Sequence, residues 1–175
     1  KSEANTSYIL SVRRSYLQAL FELIGLPIRP DYWDYQYKIS HEINEYNSIF
    51  ITGIGSVDDF SVKAPEDFDA EQQSVLDQVP VIKQWTTTAG FGWKRRLKNG
   101  KGIMNTFLST NILNNDFSRY TDNENLTGLV LKNNSRETEQ KLRYHYTHFL
   151  NDWSLNVGLN LTRSIYTNET NDLAF

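Results

Sequence analysis

Trp153-Ser154-Leu155-Asn156-Val157-Gly158-Leu159-Asn160-Leu161-Thr162 is the stretch whose reading decides the fold. Trp153, Leu155, Val157, Leu159 and Leu161 share one parity, and Ser154, Asn156, Gly158, Asn160 and Thr162 share the other. Successive side chains of an extended chain point to opposite sides, so this run is a strand with one apolar and one polar face. The same alternation recurs upstream. Trp85, Ala89, Phe91 and Trp93 oppose Gln84, Thr86, Thr88, Lys94 and Arg96, with Thr87 and Arg95 as exceptions. Leu142, Tyr144 and Tyr146 alternate with Arg143, His145 and Thr147; Tyr35, Tyr37, Ile39 and Ile43 alternate with Gln36, Lys38, Ser40 and Glu42. Tyr8, Leu10 and Val12 oppose Ser11 and Arg13, while Ser48 to Val57 and Ile103 to Leu113 are strand-like with mixed faces. The expectation is an all-β chain of about seven antiparallel up-and-down strands.

The connections add a second pattern. Glu45-Tyr46-Asn47, Lys98 to Gly102 and Leu150-Asn151-Asp152 are tight turns rich in Asn, Asp and Gly, residues that tolerate positive φ. Between them fall long connections, Leu20 to Trp33, Asp58 to Pro80 and Asn114 to Ser135. Strict alternation of short and long connections is the habit of outer-membrane barrels, with short turns at the periplasmic end and long loops outside. Tyr16 to Ile24 is apolar around most of its circumference and is stopped by Gly25 and Pro27, which predicts one short helix inside the first long loop. The polar faces carry mostly Asn, Thr, Ser and Gly with isolated charges, as a wet lumen does, and Tyr and Trp gather at strand ends, where interfacial girdles form. The expected fold is therefore part of a transmembrane β-barrel. About seven strands do not close a bacterial barrel, whose strand number is even and at least about eight. The expectation is thus a slice, 1–175, of a longer precursor, in keeping with a first residue Lys1 and a single internal Met, Met104.

Composition narrows the classes of function. The 175 residues carry 18 Lys+Arg and 21 Asp+Glu, a formal net charge of −3, with no long basic run, so the electrostatic footprint of a dedicated nucleic-acid binder is missing. The chain is 39% hydrophobic with a mean hydropathy of −0.55, and no stretch approaches the roughly 18 apolar residues of a spanning helix. Zero cysteines exclude a disulfide scaffold, a Cys-ligated zinc site and thiol catalysis.

The run Ser11-Val12-Arg13-Arg14-Ser15-Tyr16-Leu17-Gln18, followed by Leu26-Pro27-Ile28-Arg29-Pro30-Asp31-Tyr32-Trp33-Asp34-Tyr35-Gln36-Tyr37-Lys38, resembles the early barrel strands of TonB-dependent outer-membrane receptors. Ile39 to Asn44 and Ile54-Gly55-Ser56-Val57-Asp58-Asp59-Phe60 continue the likeness, as a descending strand, a tight turn and a rising strand that ends in an acidic loop. It covers the whole chain in rhythm and residues 11–60 in local sequence. The resemblance implies a parent barrel around an N-terminal plug domain, which takes up a scarce ligand such as an iron chelate, cobalamin or a glycan with energy delivered by TonB. It implies outer-membrane lipid of a Gram-negative bacterium as the surroundings, and neither the plug nor the TonB-contacting box lies in these residues.

No catalytic constellation is recognisable, so the expected protein is not an enzyme, has no cofactor and does not bind nucleic acid. His145 and His148 stand three apart, on opposite faces of a strand, and with His41 make no metal pair. Asp58, Asp59, Glu66, Asp67, Asp69, Glu71 and Asp77 form an acidic loop without EF-hand spacing, best read as solvated. Gly53-Ile54-Gly55 and Gly90-Phe91-Gly92 lack the continuation of a phosphate loop and read as small residues within strands. The basic cluster Lys94, Arg95, Arg96, Lys98 and Lys101 flanks a tight turn and suits a membrane interface or a solvated turn. For ligand capture the expected residues are those of the outer loops, Asp31, Tyr32, Trp33, Asp58 and Asp59. The competing expectation is a soluble secreted β-sandwich that binds carbohydrate.

Overall fold

The computed structural model describes residues 5–63, 76 and 79–173. Seven strands follow one another as β1 (Thr6–Arg14), β2 (Ile28–Asn44), β3 (Asn47–Val62), β4 (Val81–Arg96), β5 (Gly102–Asp122), β6 (Thr127–Leu150) and β7 (Trp153–Asp172), with helix α1 (Leu17–Leu23) after β1. They form a single open sheet in which every strand lies antiparallel beside its neighbours in the chain, so the all-β, up-and-down reading holds. Substantial packing is confined to successive strands and to α1 against β2. All seven described strands belong to this one sheet, whereas a sandwich is built of two.

Local chemistry explains the short turns. At the two-residue link Glu45-Tyr46, the Asn44 Oδ1 accepts from the backbone N–H groups of Tyr46 and Asn47 at 2.9 Å each. In the β4–β5 turn, Gly100 adopts φ 69°, and Asn99 Oδ1 accepts from the Lys101 N–H at 3.0 Å. Asx turns of this kind supply a partner for backbone donors that the ladder leaves free. The link from α1 to β2 is held by Arg29, a 7% exposed residue whose guanidinium donates to the carbonyls of Leu26 and Ile28.

Two long connections are shorter than expected, and one does not exist. The first runs from Ser15 to Pro27 and includes α1; the second from Lys63 to Pro80, residues 64–75, 77 and 78 of it lying outside the described residues together with Glu66, Asp67, Asp69, Glu71 and Asp77 of the expected acidic loop. Asn114 to Ser135 is instead strand on both sides of a four-residue turn, Asn123 to Leu126, so the alternation of short and long connections fails at this hairpin. Its outer halves, with Phe117 among polar residues and Leu129-Val130-Leu131 in succession, carry no period-two contrast. Side chains tie them across the sheet instead, as where Asn133 Nδ2 donates to Asn168 Oδ1 and Thr170 Oγ1 at 2.7 Å each. Asp122 closes the tip, accepting from the N–H groups of Glu124 and Asn125 at 3.0 and 2.9 Å and from Asn125 Nδ2 at 2.8 Å.

The sheet has almost no interior. Among the described residues only Val62, Leu76 and Val81 are buried hydrophobics. A self-contained soluble domain of this length buries roughly two thirds of the surface its unfolded chain exposes.

Candidate functional site

Register turns seven separate alternations into one surface. Tyr8, Ile39, Ile51, Phe91, Leu108, Leu142 and Leu161 are directly opposed from strand to strand across the whole sheet. Directly opposed residues of antiparallel strands lie on the same face. All seven are apolar or aromatic and none is buried, Leu108 being 50% and Leu161 53% exposed. One residue along, on the other face, the row reads Ile9, Lys38, Thr52, Gly90, Ser109, Lys141 and Thr162, polar or small except for Ile9.

Aromatic side chains bracket the apolar face. Trp33 and Trp85 lie on it toward the α1 end, and Trp93, Tyr146 and Trp153 toward the short-turn end. Trp85 and Trp93 stand eight residues apart on β4, about 26 Å along a strand that rises ~3.3 Å per residue. The lipid-facing band of an outer-membrane barrel is about 25 Å tall, and a strand tilted by roughly 40° would cover ~20 Å of it between these rings.

The apolar stretch also slides across the sheet. Leu10, midway along the apolar stretch of β1, lies in register with Arg163 of β7, yet the apolar stretch of β7, Trp153 to Leu161, is centred on Val157, six residues nearer the short turns. Six strand steps separate β1 from β7, and the slide is concentrated after β4. A band of constant depth across strands ~4.8 Å apart and tilted ~35–45° requires about one residue of slide per step.

The five expected ligand residues lie on strands rather than loops, Asp31, Tyr32 and Trp33 on β2 and Asp58 and Asp59 on β3. Register divides them. Asp31 opposes Asp59, and Trp33 opposes Val57, on the face of the apolar row; Tyr32 opposes Asp58 on the polar face. On the first face Arg14 clamps Asp31 through Nε and Nη2 at 3.3 and 2.9 Å and lies 5.0 Å over the Trp33 ring, while Lys83 reaches Asp59 at 3.9 Å. Asp58 accepts from the Ser56 hydroxyl at 3.1 Å on the other. Backbone parity therefore separates these residues into two groups, and they do not form a single pocket. His145 and His148 likewise fall on opposite faces, and no group of three or more His, Cys, Asp or Glu suited to a metal occurs among the described residues.

Sequence reasoning missed what the glycines accommodate. Gly53 and Gly55 sit opposite Tyr37 and Tyr35, whose rings, stacked at 6.4 Å, lie flat over them. The Tyr35 hydroxyl crosses Gly55 to meet Thr87 Oγ1 on β4 at 2.5 Å. On the polar face Phe50 covers Gly92 in the same way and meets Phe107 at 5.9 Å. The signal available was an aromatic residue and a glycine at paired positions, visible only once register is known. No protein-family model matches the chain, and no curated protein is similar to it in sequence.

Proposed function

We propose that this sheet is a section of the wall of a transmembrane β-barrel in the outer membrane of a Gram-negative bacterium, belonging to a TonB-dependent uptake receptor. The carrying observation is the apolar row that crosses all seven strands without interruption and without a covering layer among the described residues. In water such a contiguous exposed apolar face is the mark of a partner or membrane contact. Against hydrocarbon it is the favourable face, and the Thr, Asn, Ser and Lys of the opposite side meet a wet lumen. Unpaired N–H and C=O groups cost several kcal/mol each in lipid, so in this reading the free edges of β1 and β7 pair with further barrel strands. The resemblance of residues 11–60 to TonB-dependent receptors supports the receptor class, in which outer residues capture an iron chelate, cobalamin or glycan, and a plug pulled by TonB releases it inward. In that scheme Asp31 and Asp59 stand at the outer rim and Tyr32 and Asp58 face the lumen side.

Tryptophan quenching by lipids brominated along their acyl chains tests the placement. The chain carries 4 Trp, all on the apolar face. Strong quenching in vesicles is expected; a water-soluble monomer whose tryptophans are untouched by brominated lipid would refute the reading.

A further inference from the structure

Charged residues flank the apolar face at both ends, paired at one and unpaired at the other. Toward α1, the row beyond Trp33 and Trp85 reads Asp31, Asp59, Lys83, Asp116, Asn134 and Glu169. At the short-turn end the β4–β5 hairpin presents Lys94, Arg95, Arg96, Lys98 and Lys101, all exposed, and none of the five forms an ion pair among the described residues. Lys94 and Arg96 lie on the polar face, lining a pocket with Glu42 and Glu45. Arg95 shares the face of Trp93, two residues beyond it, and opposes Met104; Lys98 and Lys101 flank the turn itself, Lys98 Nζ lying 6.0 Å over the Tyr46 ring.

Two residues carry the chain ~7 Å past Trp93, about the depth by which the headgroup layer extends beyond the hydrocarbon on each side of a bilayer. We propose that Arg95, Lys98 and Lys101 form a docking surface for the phosphates of anionic phospholipid headgroups in the leaflet at the short-turn end. This rests on the membrane placement proposed above and adds to it a lipid partner and a leaflet. The cations stand just outside the aromatic rim and are unneutralised by carboxylates on that face, whereas at the opposite end Arg14 and Lys83 are already paired with Asp31 and Asp59.

The test measures partitioning of the full chain into phosphatidylcholine vesicles and into vesicles containing about 30 mol% phosphatidylglycerol. Each cation near an anionic surface is worth about fivefold in binding, so the triple variant Arg95→Gln, Lys98→Gln, Lys101→Gln should lose about a hundredfold in phosphatidylglycerol vesicles and less than twofold in phosphatidylcholine. High salt should abolish the difference. A matched triple at the opposite end, Arg119→Gln, Lys132→Gln, Arg136→Gln, should leave partitioning within a few fold. Equal losses from both triples, or none from the first, would overturn the lipid surface; a wild-type chain that ignores phosphatidylcholine as well would overturn the membrane placement beneath it. Unchanged far-ultraviolet circular dichroism establishes that the variants keep the sheet.

Discussion

Leu108 offers the sharpest test of which solvent the apolar face meets. It belongs to the cross-sheet row, between Phe91 and Leu142, lies at the centre of the apolar stretch of β5, and is 50% exposed. If the face meets hydrocarbon, Leu108→Arg places a guanidinium near the bilayer midplane, a cost of about 2–4 kcal/mol. If it meets water, the loss is limited to the buried half of a leucine side chain, about 1 kcal/mol, part of which the arginine stem recovers. Asn111→Arg is the control on the polar face, where it opposes Glu139 and gives up the 2.7 Å bond from Thr88 Oγ1; its expected net cost is under about 1 kcal/mol. Urea titration of the chain in phosphatidylcholine vesicles, followed by tryptophan fluorescence, reads both variants at equal m-value. A Leu108→Arg cost no greater than that of Asn111→Arg would refute lipid contact at this face.

Three further outcomes follow from the side-chain geometry. A Cβ at Gly55 would lie 2.6 Å from the Thr86 carbonyl and from the Tyr35 ring, whereas one at Gly90 meets nothing closer than 3.5 Å; Gly55→Ala should therefore destabilise by about 1–3 kcal/mol and Gly90→Ala should be neutral or stabilising by up to about 1 kcal/mol, as measured in the same titration. Asn133→Ala removes both bonds to β7 and should cost about 1 kcal/mol, read as lost amide-exchange protection confined to the outer ends of β6 and β7. Hydrogen bonds from Asn125 hold the Asp122 carboxyl below its ordinary value of 3.8, so its stabilisation of the hairpin tip is present above about pH 4 and fades as pH falls through the lower folded value; Asp122→Asn should remove that acid-side dependence in an exchange profile of Asn123 to Gly128.

The alternation of Trp153 to Leu161 was legible because one face is apolar and the other is not, and that contrast is local. So were the tight turns at Glu45-Tyr46 and around Asn99-Gly100, whose chemistry acts within four residues. The outer halves of β5 and β6 were illegible for the complementary reason: Asn114 to Asp122 and Thr127 to Ser135 mix polar and apolar residues on both sides, as in Leu129-Val130-Leu131, and the ladder that keeps them extended joins different strands. Asp31, Tyr32, Trp33, Asp58 and Asp59 were expected in two outer loops, but they lie on paired strands, and parity sends Tyr32 and Asp58 to the other side.

The amino-acid order by itself determined which residues are extended and which side of each strand is apolar, since both depend on neighbours one or two positions away. Only the tertiary structure decided that these sides coincide. A register slip of one residue between any two strands would turn the apolar side of one onto the polar side of the next, and the continuous row from Tyr8 to Leu161 exists because all six pairings share one parity.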